Sequence, residues 1–372
     1  MKSVKALRLF IPGLLIAAAV LAAGELSSAV LDDASAPVHT PPPVRHITIE
    51  ANGDLLIHSP VYHRALENGG GTKYSFDEML SRVKPIVKSA DLAICHVETP
   101  MTPAKPPSGY PIFNAPSTLA TAILNTGWNA CDTSSNHTLD QGQSGLDETL
   151  AELDRNGIAH TGSWASAADA AKPLILNTQG VRVAWLAYTE MTNGIPLPNP
   201  WSVKLASAPV ILADARKARE LGAQVVIVNL HAGEEYQHEP SAFQLDLAQK
   251  LTASADITAV VGQHVHVVQP IRWIHGKAVV FGEGNLLSNQ TVNCCPEASQ
   301  DGYMALLHIT VDGTSARTTR VDYIPVWVRH PDFVVLPIQK AIRNGWAPVD
   351  ELRASWARTT GVVGSSPTVR PL

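Results

Sequence analysis

Charge is scarce in this chain of 372 residues: only 16% are Asp, Glu, Lys or Arg, against 45% apolar. The 28 basic and 33 acidic residues leave a net charge of -5, and no run of Lys or Arg interrupts the chain. The electrostatic footprint of a nucleic-acid-binding protein is missing, so nucleic acid is set aside as a partner. Cysteine is equally sparse. Four residues, Cys95, Cys131, Cys294 and Cys295, allow three pairings among which a sequence cannot choose. Cys95 and Cys131 read either as a bridge or as buried thiols, and the adjacent Cys294-Cys295 pair is a poor chelate with no His nearby. Long apolar runs are lacking too: Leu9 to Ala23 contains Pro12 and Gly13 and is short for a stable membrane span. There is no internal repeat. The apolar content excludes a disordered chain and suffices for a large core, in one large domain or two moderate ones.

Lys2, Lys5 and Arg8 precede that apolar stretch, and small residues follow it from Ala22 to Ala29. Residues 1–29 therefore read as a signal peptide or N-terminal membrane anchor, which predicts an exported protein, secreted or held on the outer side of the cytoplasmic membrane. No Cys follows the apolar stretch, which argues against a lipoprotein anchor. Residues 30–45, rich in Ala and Pro and ending near Pro41-Pro42-Pro43, read as a linker. The folded domain is expected over 46–330, with 331–372 as a C-terminal extension whose tail, from about Arg353, reads as mobile.

Within the domain, apolar strand-like runs alternate with helical periodicity. Helices are expected over Phe76 to Ala90, Ser117 to Asn125 with Ser117 as cap, Gly142 to Asn156, Val210 to Leu221 and Ser241 to Ala253. Residues 174 to 189 read as a hairpin split at Gly180. Past His266 the pattern is β only, with strands at 271 to 281, 303 to 311 and 317 to 328. An α/β first part and a β second part predict the α/β class, with two sheets packed face to face and helices outside.

Polar residues stand where the strand-like runs end: Asp54, Glu98, Asn136, His231, and His264 with His266. Ligands far apart in sequence can meet at the carboxyl ends of strands. Carboxylate, amide oxygen and imidazole suit divalent Mn, Fe or Zn, one ion or two, rather than a thiolate-bound structural zinc. His264 and His266, two residues apart, lie on one side of an extended segment and can ligate together. Each signal alone has a plainer reading, as a loop histidine, a turn or a helix cap; their sum favours a metal site. His137, next to Asn136, can protonate a leaving oxygen. By strand alternation His96 shares a face with Glu98 and stands behind the ligands, and Glu234 or Glu235 can fix an imidazole tautomer from the same outer position.

Taken in order, Gly53-Asp54, Val97-Glu98, Ser135-Asn136-His137-Thr-Leu-Asp140-Gln-Gly142, His231-Ala-Gly-Glu-Glu-Tyr236, Gly262-Gln-His264-Val-His266 and Gly282-Glu-Gly-Asn285 resemble the CapA family of bacterial capsule-synthesis proteins. The resemblance implies a metallophosphatase-like, calcineurin-like four-layer fold and a role in making or exporting an anionic polymer of the poly-γ-glutamate type, with membrane capsule-synthesis proteins as partners. It also implies Asp54, Glu98 and His266 at one metal, Asn136, His231 and His264 around a second, Glu98 bridging, Asn285 behind the ligands and His137 as general acid. An active extracytoplasmic two-metal phosphoesterase acting on a small phosphoester, and a non-catalytic assembly factor binding polymer or a partner protein, are the alternatives. The chain departs from the phosphoesterase pattern: Leu56 stands where a His follows the first Asp by two residues, Glu98 replaces the bridging Asp, and His96-Val-Glu98 and Ser135-Asn136-His137 replace Asn-Leu-Glu and Asn-Asn-His.

Overall fold

The computed structural model describes residues 43–372. The signal or anchor read at 1–29, and the linker as far as Pro42, lie outside the described residues. Among the described residues no helix is long and apolar enough to cross a membrane.

In chain order the strands are β1 (Arg45–Leu55), β2 (Leu92–Val97), β3 (Ala130–Asp132), β4 (Ala159–Thr161), β5 (Leu174–Thr178), β6 (Val181–Thr189), β7 (Val225–His231) and β8 (Ala259–Gln263). They continue as β9 (Ile271–Ile274), β10 (Lys277–Val280), β11 (Asn285–Leu287), β12 (Asp301–Asp312), β13 (Ser315–Arg329), β14 (Val334–Pro337) and β15 (Val369–Pro371). One sheet runs β14-β13-β12-β1-β2-β3-β4, with β11 on β1 and β15 on β13; the other runs β5-β6-β7-β8-β10-β9. The two sheets pack face to face, as expected. Each sheet draws on both parts of the chain: parallel β1 to β4 join antiparallel β12 to β14, and parallel β6, β7 and β8 join the β9–β10 hairpin.

Strand alternation explains the layering. On β2, Leu92 and Ile94 enter the core between the sheets with Ile49, Val225, Ile227 and Val261, while Ala93, Cys95 and Val97 face outward under Val61, Met79, Leu119 and Ile123 of the helical layer. On β7, Val226 and Val228 face outward beneath the helices Ala208–Glu220 and Ala242–Ala253, whose Ile211, Ala215, Leu247 and Leu251 cover them. The result is four layers, helix, sheet, sheet, helix. Ser241 starts the second of these helices with a capping box, its side chain accepting from Gln244 N.

Several local expectations are corrected. The helix over Phe76 to Ala90 is two single turns, Asp77–Leu80 and Lys84–Val87, because Pro85 has no N–H to continue the first and sits at the start of the second. Ser117 occupies the cap position of helix Thr118–Thr126 but its side chain makes no cap bond. The tail expected to be mobile is built in: helix Val349–Val363 hydrogen-bonds the fully buried Asp301 through Ser355 and Arg358, and β15 pairs with β13. Cys95 bridges to Cys131, its register partner on β3, and Cys294 to Cys295, which takes all four thiols out of metal binding.

Candidate metal centre

The strand ends nearest the inter-sheet core carry the site. On β2 the face holding Leu92 and Ile94 continues to His96 and Glu98, and on β7 the face holding Val225 and Ile227 continues to Asn229 and His231. Simple alternation would put Asp54 on the other face of β1, with Glu50 and Asn52. The register shows how it arrives: Ala51 lies opposite Ile94 but Asp54 opposite His96, three steps against two, so a bulge rotates Asp54 onto the inter-sheet side. Gly53 allows the bulged strand to touch the returning chain, since a Cβ there would lie 1.8 Å from the Gly284 carbonyl oxygen. Asp54 N donates to that same oxygen at 3.1 Å.

His264 and His266 follow β8, and both have left-handed backbone, φ +95° and +57°. They do not lie side by side on an extended segment, as the spacing predicted; each is aimed separately by a strained turn held by its surroundings. His266 Nδ1 lies 3.0 Å from Asp54 Oδ2 and 3.1 Å from Asn285 Oδ1, while His264 Nδ1 lies 3.2 Å from His231 Nε2. His231 Nε2 is also 2.9 Å from Asn136 Oδ1. Glu98 Oε1 stands 3.8 Å from His266 Nε2 and 3.9 Å from His231 Nε2, between the two groups. Asp54, Glu98, Asn136, His231, His264 and His266 are all buried.

Both Glu98 oxygens, His96 Nε2 and His231 Nδ1 are buried with no hydrogen-bond partner. Such groups are expensive to leave unpaired, and a divalent cation would satisfy them together. Donor atoms of Asp54, Glu98 and His266, and separately of Asp54, His96 and His231, come within 4.8 Å of one another. The electrostatics match. Burial and neighbouring Asp54 push the Glu98 carboxyl up to about 7. Burial pulls His266 down, but Glu98 and Asp54 outweigh it and raise it to about 9. His264 is driven down to about 3 by burial and His266, and His231 well below its usual value by burial and His264, so these two rings stay neutral with lone pairs to offer.

His137 stands beside this group. Its Nδ1 meets Asp140 Oδ2 at 2.8 Å, its ring packs edge-on to Phe113 at 4.7 Å, and Asn193 Nδ2 reaches the same nitrogen at 3.5 Å. That leaves Nε2 for a substrate. Asn285 Oδ1 stands against His266 Nδ1. Glu234 and Glu235 do not act as expected: both are exposed and hydrogen-bond none of the ligand imidazoles, because the chain after Gly233 turns out to solvent. Sequence reasoning missed Asp132, which accepts from His96, and gave Asp140, Asn193 and Phe113 no role. His58, four residues after Asp54 and too far along to stand in for the His missing at Leu56, has its ring edge-on to Phe113 at 5.2 Å and is driven down to about 4 by burial, then by His266.

The profile of the family described as bacterial capsule synthesis protein PGA_cap matches residues 48–290, well over half of the chain. The chain belongs to this family. Among curated relatives, the PGA biosynthesis protein CapA of Bacillus subtilis is 26% identical over 247 residues, 64% of this chain and 63% of that protein. The capsule biosynthesis protein CapA of Bacillus anthracis is 25% identical over 301 residues, 76% of this chain and 69% of that protein. The matched region thus spans a little under two thirds of the Bacillus subtilis relative. Among solved structures, the calcineurin-like phosphoesterase YfkN of Bacillus subtilis superposes with a TM-score of 0.49 at 14% identity, covering 84% of this chain and 100% of that chain. A phosphatase of Mycoplasma pneumoniae gives 0.47 at 13% identity, covering 77% and 95%. All six blocks of the resemblance fall inside the family match.

Proposed function

We propose that the protein serves, outside the cytoplasm, in the synthesis or export of an anionic capsular polymer of the poly-γ-glutamate type, and that it acts through a divalent-metal hydrolase centre. The observation that carries this reading is the convergence of five family-block residues, Asp54, Asn136, His231, His264 and His266, around the unpartnered carboxylate of Glu98. The names of the Bacillus relatives support the polymer, and the Lys2 to Ala29 leader supports export and contact with membrane capsule-synthesis proteins.

Asp54, Glu98 and His266 would hold one ion and Asn136, His231 and His264 a second, with Glu98 between them. The donors, without thiolate, suit Mn, Fe or Zn. An ion held there would supply Lewis-acid charge for hydrolysis. The chain's own part is the leaving group: Asp140 fixes His137 through Nδ1 and leaves Nε2 to deliver the proton. The His137–Asp140 pair favours hydrolysis over passive scaffolding.

The test is elemental analysis of the purified protein, followed by incubation with poly-γ-glutamate and with a nitrophenyl phosphate. Bound Mn, Fe or Zn with metal-dependent shortening of the polymer is expected. Turnover of the phosphate ester alone would make the protein a phosphoesterase, and metal-free protein that binds polymer without cleaving it would make it an assembly factor. Fractionation that recovers the protein in the cytosol would overturn the export reading.

A further inference from the structure

We propose that His96 is itself a metal ligand, binding through Nε2 the ion that Asp54 binds. The inference rests on the metal-centre reading and changes which atoms build that centre. Parallel pairing of β1 and β2 sets Asp54 opposite His96, and the β1 bulge turns both to the same side. Leu56 is buried and apolar, so β1 brings no imidazole of its own beyond Asp54.

The His96 ring is fixed from behind. Its Nδ1 lies 2.5 Å from Asp132 Oδ1. The second sheet holds Asp132 in turn: Trp185 Nε1 donates to Oδ2 at 3.2 Å and Asn229 Nδ2 to Oδ1 at 3.2 Å. A carboxylate gathering donors from three side chains is an acceptor, so Nδ1 carries the hydrogen toward Asp132 and Nε2 is the nitrogen turned forward, toward Asp54. This carboxylate–imidazole arrangement is the usual support behind a metal-bound histidine.

The forward nitrogen has no hydrogen-bond partner although it is buried. It faces Asp54 Oδ1 at 3.6 Å, and His231 Nδ1, also unpartnered, faces the same oxygen at 4.0 Å. Ligand atoms each about 2 Å from an ion stand roughly 3–4 Å from one another, so His96 and Asp54 already have the separation of co-ligands. The rings of His96 and His231 stack at 4.9 Å with 25° between their planes, which confines His96 to this orientation.

The experiment loads the full chain, labelled with 15N-histidine, with 113Cd2+ and reads metal–nitrogen coupling at each ring by NMR. Coupling is expected at His96 Nε2, with the Nδ1 hydrogen retained. His96→Gln should lose that signal and weaken Cd2+ binding at least ~10-fold while the other couplings persist. Asp132→Asn should keep the coupling but weaken binding by about 10–100-fold, as for a supporting partner. Coupling at His231, His264 or His266 with none at His96 would overturn the proposal and leave the metal centre standing. Failure to bind any Cd2+ would take both down. If His96→Gln does not fold, the wild-type spectrum alone decides.

Discussion

Replacing Glu98 by Gln should reverse the order of stability between variant and wild type, depending on whether metal is present. In metal-free protein the Glu98 carboxyl is buried and raised from 4.5 to about 7 by burial and by Asp54. At about 1.4 kcal/mol per pH unit, ionised Glu98 therefore costs the metal-free fold ~3 kcal/mol at pH 8. Gln removes the charge but leaves a buried amide without a designed partner, a cost of ~1–3 kcal/mol. The variant should thus equal or exceed wild type by ~0–2 kcal/mol in EDTA at pH 8. The sign follows from the raised value: the folded state holds its Glu98 proton longer, so wild-type stability falls as pH rises from about 4.5 to about 7 and is flat in this respect above. The variant's advantage should largely disappear at pH 4.5, where wild-type Glu98 is protonated in the folded state and only about half ionised in the unfolded chain. Metal inverts the order. At a free concentration one hundred times the dissociation constant, wild type gains ~2.7 kcal/mol, whereas the variant, having lost the carboxylate between the ions, gains little. Urea unfolding at pH 4.5 and 8, with EDTA and with Mn2+, measures all four corners. A variant clearly weaker than wild type in EDTA at pH 8, or one gaining as much from metal, would refute the reasoning.

Other substitutions separate the roles. His231→Ala and His264→Ala should each lower bound metal sharply by elemental analysis, and unchanged stoichiometry in both would dismantle the ligand assignment. His137→Ala should keep its metal but lose ~10²-fold or more in hydrolysis rate, and a nitrophenolate leaving group should hide much of the loss; an equal defect for good and poor leaving groups would remove His137 from acid duty. Arg358→Ala strips the buried Asp301 of hydrogen bonds at 2.7 and 3.0 Å and should cost about 3 kcal/mol in urea unfolding; a loss below ~0.5 kcal/mol would mean water replaces the guanidinium.

The layers were legible because β2 and β7 alternate cleanly, and two-residue periodicity is local information. The candidate ligands were legible for the same reason, most of them ending an apolar run. Asp54 reaches the site only because a bulge overturns the alternation of its own strand, and a bulge is set by the neighbouring strand's register. The backbone turns at His264 and His266 are likewise imposed from outside. Asp132 ends a strand of three residues, too short to carry a period. The tail looked mobile because what holds it is non-local: Arg358 meets a carboxylate 57 residues away, and β15 leans on β13.

The centre is divided between the sheets. Asp54, Glu98 and Asn136 come from the segment that builds the first sheet, His231, His264 and His266 from the segment that builds the second, and Asn136 and His231 lie 95 positions apart. Neither portion holds the full donor set, so an unfolded chain would have no assembled centre in which to carry an ion. Capture has to await docking of the two sheets, in whichever compartment that happens, and the metal supply of that compartment, more than the donor set, would then select the occupant. Chelation should correspondingly loosen the seam between the sheets before either outer helical layer, an ordering that hydrogen exchange can time.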